Sequence, residues 1–85
     1  GGPNPVTSST SISFELPTNA RVRLEIYNIQ GQRVRMLVDE ELELGRYQRA
    51  WDGLDDSGRH VASGVYLVRL QVGVQVLRSK LLRVR

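Results

Sequence analysis

Cysteine is absent from this 85-residue chain, and histidine occurs once, at His60. The first absence excludes disulfide staples and thiolate metal centres. The second excludes a multi-histidine zinc site built within one chain. No apolar run exceeds four residues, which rules out a membrane-spanning helix, and no leader-like segment opens the chain. Acidic residues are fewer than basic ones, nine against twelve, and eleven of the twelve are arginine. With no dense basic run, recognition helix or RNA-binding aromatic motif, the surplus reads as a solvated basic face and not as a nucleic-acid footprint. No cofactor is implied.

Eighty-five residues suit one domain. It would bury only about 60–65% of its unfolded surface, with a total stability of roughly 4–13 kcal/mol. Gly1 and Gly2 at the start, in place of Met, suggest an excised piece of a larger protein. Residues 1–9 are expected to be linker or cloning remnant and residues 10–85 the folded unit.

Helix periodicity is nearly missing, and apolar residues alternate with polar ones, the period of half-buried strands. "SISFEL" puts Ile12, Phe14 and Leu16 on one face, and Pro17 ends the strand. "RVRLEIY" sends Val22, Leu24 and Ile26 inward and Arg21, Arg23, Glu25 and Tyr27 outward. "NIQGQ" supplies turn chemistry through Asn28 and Gly31, and "RVRMLV" predicts Val34, Met36 and Val38 on one face. Asp39–Leu44 reads as a loop or a single helical turn closed by Gly45. In "RYQRAW", inward Tyr47 and Trp51 imply an inward Arg49, which suits an edge strand or an arginine stem laid along the Trp51 ring. "VYLVRLQV" buries Tyr66, Val68 and Leu70, and Gly73 turns the chain into "VQVLRSKLLRVR". With a possible short pairing at His60–Ala62, six or seven strands predict an all-β, immunoglobulin-like antiparallel sandwich.

The stretch "WDGLDDSGRHVASGVYLVRL" holds the candidate chemistry. Asp52, Asp55 and Asp56 do not follow the alternating spacing and closing glutamate of a calcium loop. Asp and Gly are also what tight turns require, so these residues read as turn-formers and no metal site is expected. Trp51 and Tyr66 read as core, with the Tyr66 hydroxyl tied back to a loop. Ser57, Ser63, His60 and the aspartates contain the atoms of a hydrolase triad but sit in one short connection, so no enzyme is expected.

Several segments together resemble a known family. "PNP" at Pro3, Asn4 and Pro5 precedes a Ser/Thr-rich first strand ending in "LP"; "RVRLEIYNIQGQRV" follows, then the Trp51–Leu70 stretch and the terminal "KLLRVR". Their order is similar to the type A C-terminal sorting domain of type IX secretion cargo. The middle section also resembles the immunoglobulin-like domain of flagellar hook-capping proteins. The first resemblance implies a non-catalytic bacterial sorting domain, joined to an N-terminal passenger and exported through the periplasm to the cell surface or beyond. The implied partners are an outer-membrane translocon and a sorting protease. Pro3, Asn4, Pro5, Gly64, Tyr66 and Lys80, Leu81, Leu82, Arg83, Val84, Arg85 match the positions such a translocon would read. The isolated domain is expected to be monomeric, and trimming Arg83–Arg85 from the chain end to be mild for stability. The rival readings are a structural immunoglobulin-like module, hook-cap-like or a spacer, and a carbohydrate-binding module presenting Trp51.

Overall fold

A computed structural model describes residues 9–84. Pro3, Asn4, Pro5 and Arg85 lie outside the described residues. Six strands run β1 (Thr10–Leu16), β2 (Ala20–Tyr27), β3 (Arg33–Leu42), β4 (Gly45–Trp51), β5 (Gly64–Val72) and β6 (Gln75–Arg83). All pairings are antiparallel. β1 and β4 form a two-stranded sheet, and the second sheet has the order β3-β2-β5-β6.

The two sheets bury the faces that alternation predicts. Leu16 of β1, Val22, Leu24 and Ile26 of β2, Val38 of β3, Trp51 of β4, and Tyr66 and Val68 of β5 form one core. Ile12, Phe14, Tyr47 and Leu70 pack against it. The β2–β3 connection is built by Asn28, whose side-chain oxygen accepts the N–H groups of Gln30 and Gln32 at 3.0 Å each. Gly31 sits there at φ 83°, a left-handed conformation that favours glycine.

Three local readings are corrected, and a fourth gains an unexpected burial. Asp39–Leu42 is neither loop nor helical turn: it continues β3, paired with Ala20–Arg23. The backbone ladder and an Arg21–Asp39 ion pair at 2.6 Å hold this acidic run extended. Met36 does not face the core. Register shifts against β2 leave Leu37 and Val34 as extra residues, so Met36 pairs with Glu25 on the outer face and Leu37 packs inward. Glu25 points outward yet is 1% exposed, covered by its neighbours' arginines. At His60–Ala62 the pairing reduces to a single bridge, Leu54 with His60.

Arg49 answers as an edge-strand residue, since β4 pairs only with β1. Its guanidinium lies over Tyr47, 5.4 Å from the ring centroid, and not over Trp51.

Candidate functional site

The connection from Trp51 to Gly64 holds the candidate polar groups, and it is organised around its own backbone. Asp52 accepts the Leu54 N–H at 3.0 Å, folding the chain back so that the Leu54 carbonyl accepts the Trp51 indole N–H at 2.9 Å. Arg35 of β3 donates to both Asp52 and Leu54 O at 3.1 Å. Asp55 accepts from the Ser57 hydroxyl at 2.7 Å, the Ser57 N–H at 2.9 Å and the Arg59 N–H at 3.0 Å. The Ser57 hydroxyl, then the Arg59 N–H, hold the Asp55 carboxyl below the usual carboxylate range. Asp56 works outward: its N–H donates to Val34 O at 2.8 Å, and its carboxylate accepts the Met36 N–H at 2.9 Å. The loop is thereby tied to the margin of β3.

The three aspartates thus act as turn-formers and ties, each committed to different donors. Among the described residues no group of three or more His, Cys, Asp or Glu is placed to hold a metal ion. The Ser57 hydroxyl donates to Asp55 and the His60 backbone bridges to Leu54, so both residues serve the fold of the connection itself. An open cleft of about 530 Å³ lies beside this loop, lined by Arg33, Asp55, Asp56, Ser57 and Tyr66 among others.

Trp51 is fully buried, with Tyr66 edge-on at 5.3 Å between ring centroids. The Tyr66 hydroxyl donates to Ala62 O at 2.6 Å, closing the loop as a tyrosine corner does. A ring enclosed in this way is no sugar platform, because a platform must present its face to solvent.

The residues matched to sorting occupy contrasting places. Gly64 opens β5 and Tyr66 is core. Leu81 packs against the core, whereas Lys80, Leu82 and Val84 are exposed. Arg83 is 3% exposed. Its guanidinium carbon lies 5.8 Å from the Trp51 ring centroid, and it donates to Asp52 O at 3.3 Å. Gly53, at φ 79°, leaves the space for it: a Cβ there would overlap the Arg83 guanidinium.

A second polar cluster escaped the sequence reading. On the outer face of the four-stranded sheet, Glu25 meets Arg69 at 3.1 Å, Arg23 at 3.3 Å and Arg33 at 3.7 Å, and accepts the Tyr27 hydroxyl at 3.1 Å. Burial, then that hydrogen bond, pushes the Tyr27 phenol above its ordinary range. The available signal was a lone glutamate that follows Arg21 and Arg23 at alternate positions on a strand otherwise free of acid. Arg83 gave only the terminal alternation, which set it beside Leu81 on one face.

The family model described as the FlgD Ig-like domain matches residues 4–74. FlgD from P. aeruginosa is similar in fold, with a TM-score of 0.69 at 24% identity, over 88% of this chain and 58% of that one. FlgD from Xanthomonas campestris, for which hook capping essential for flagellar assembly is described, gives 0.67 at 28% identity, over 89% and 56%. The chain therefore spans well under two thirds of either structure. No curated protein matches it.

Proposed function

The chain belongs to the FlgD Ig-like domain family, and from that premise we propose that it is a non-catalytic structural module of a larger bacterial protein, of the kind found in hook-capping assemblies. The observation that carries the reading is the internal commitment of its chemically capable groups. Asp52, Asp55, Asp56, Trp51, Tyr66 and Arg83 bond to one another's loops and strands, so their role is to hold one rigid shape. A rigid sandwich with free strand margins suits a spacer or docking unit in an exported structure outside the cytoplasm.

The family match backs this module over the type IX sorting role that the terminal strand and Pro3–Pro5 suggested. Within the structural reading, the parent protein supplies the remaining domains and any activity. The test is the full reading frame that encodes this chain. A hook-capping region joined to the domain supports the module; a secreted enzyme whose last residue is Arg85 overturns it in favour of sorting.

A further inference from the structure

The four-stranded sheet has two outer strands, β6 on one side and β3 on the other, and their free margins carry opposite charge. On β6, Arg78 and Lys80 are exposed and have no ion-pair partner among the described residues. On β3, the Asp56 loop covers the margin at Val34 and Met36, but Asp39, Glu40 and Glu41 beyond it are exposed. Asp39 meets Arg21 of its own sheet; Glu40 and Glu41 have no ion-pair partner among the described residues.

The backbone direction on each margin follows from one hydrogen bond. The Gly73 N–H donates to Arg21 O, so Arg21 turns its backbone toward the β5–β6 side of β2. Alternation along the paired strands then aims the backbone groups of Asp39 and Glu41 outward from β3, and those of Arg78 and Lys80 outward from β6.

We infer that β6 of one copy of this chain adds antiparallel to the free end of β3 of a second copy, with Arg78 opposite Glu41 and Lys80 opposite Asp39. In this register the outward backbone groups meet as hydrogen-bonded pairs. The same register sets Leu77, which is 53% exposed, opposite Leu42. Pairing like margins is disfavoured: β6 on β6 about Ser79 sets Arg78 against Lys80, and β3 on β3 about Glu40 sets Asp39 against Glu41. Charge thus protects each margin from itself and leaves the unlike pairing open. The contact is head-to-tail, so it closes as a ring or grows as a filament. It replaces the monomer expected from the sequence, and it holds whatever larger protein the domain serves.

The test uses the 85-residue chain in sedimentation at low and high salt. Wild type associates reversibly at low salt and dissociates as salt rises. Arg78→Glu/Lys80→Glu weakens association by about tenfold or more, as does Asp39→Lys/Glu41→Lys, because each sets like charges opposite one another. An equimolar mixture of the two variants associates again. Since the chain has no cysteine, Ser79→Cys and Glu40→Cys chains, mixed under mild oxidation, report the register by forming a mixed disulfide. Thermal melts confirm that every variant is folded. A wild type that stays monomeric at its solubility limit in low salt overturns the inference. So does association that survives both charge variants, since that would place the contact elsewhere.

Discussion

The Arg83 guanidinium lies over the Trp51 indole, its central carbon 5.8 Å from the ring centroid, and reaches past the ring to the Asp52 carbonyl. The C-terminal end of β6 is therefore fastened to the centre of the core. Gly53 completes the clamp, because only a residue without a side chain leaves room beneath the guanidinium.

Removing Arg83 should therefore be costly, contrary to the mild effect expected for a chain end. Arg83→Ala forfeits a desolvated cation–π contact, roughly 1–2 kcal/mol, and a charge-assisted hydrogen bond of about 1.5–3 kcal/mol. A loss of about 2–4 kcal/mol in urea unfolding is expected. Deletion of Arg83–Arg85 should match it. Arg83→Lys should recover only part, since a lysine lacks the planar fork that lies over the ring and reaches the carbonyl. A variant within a few tenths of wild type would show that the clamp contributes nothing.

Gly53 and Gly31 separate the clamp from simple backbone preference. Both adopt positive φ, 79° and 83°, but a Cβ at Gly31 meets open space. Gly31→Ala should cost about 1–2 kcal/mol, the left-handed penalty alone. Gly53→Ala carries that penalty and displaces Arg83, so the expected loss is larger, about 3–5 kcal/mol. In the Arg83→Ala background the two glycine substitutions should become alike. Equal costs in the wild-type background would remove the steric link.

Much of this was legible in the alternation of residues. Ile12, Phe14 and Leu16, or Val22, Leu24 and Ile26, have one buried side each, and period-two patterning reports that directly. Trp51 and Tyr66 were legible for the same reason, and the aspartates because their turn chemistry is local. What escaped depends on partners distant in the chain. Met36 lost its inward place to bulges in β3, which are set by the pairing with β2. Glu25 is buried because arginines from β2, β3 and β5 converge on it. Arg83 reads as a terminal basic residue until folding sets it against a ring thirty-two positions earlier. The Asp39–Leu42 acidic run favours strand only because β2 offers a ladder and Arg21 a countercharge.

Acid should weaken both the loop that follows Trp51, through Asp55, and the far end of β3, through Asp39. Asp39 and Asp55 both have carboxyls held below their ordinary value of 3.8, Asp39 by its hydrogen bond from Arg21 and Asp55 by the Ser57 hydroxyl and the Arg59 N–H. A depressed folded-state pKa contributes stability above the unfolded value, and that stability is lost as pH falls through the folded value. Melting temperature should thus hold from neutrality to about pH 4 and fall below it. Asp55→Asn should lower stability at neutral pH and flatten the acid limb. An unchanged acid limb in Asp55→Asn would place the proton uptake elsewhere.

The functional readings part company in an export experiment, and the clamp dictates which variants can be used. A fluorescent reporter with a Sec signal is fused to this chain in a bacterium that has type IX secretion. Trimming Arg83–Arg85 cannot discriminate, because it removes the contact with Trp51 and so confuses misfolding with lost recognition. Lys80 and Leu82 are exposed on β6, so Lys80→Glu and Leu82→Ser alter what a receptor would meet while changing stability by about 0.5 kcal/mol or less. The structural module predicts that the intact fusion stays in the periplasm while a native type IX cargo is exported in the same cells. Export of the intact fusion, lost in Lys80→Glu and Leu82→Ser proteins that melt like the parent, would instead make the terminal strand an address. That outcome would displace the structural reading, because a module that only holds shape gives a translocon no reason to distinguish folded chains by two exposed side chains.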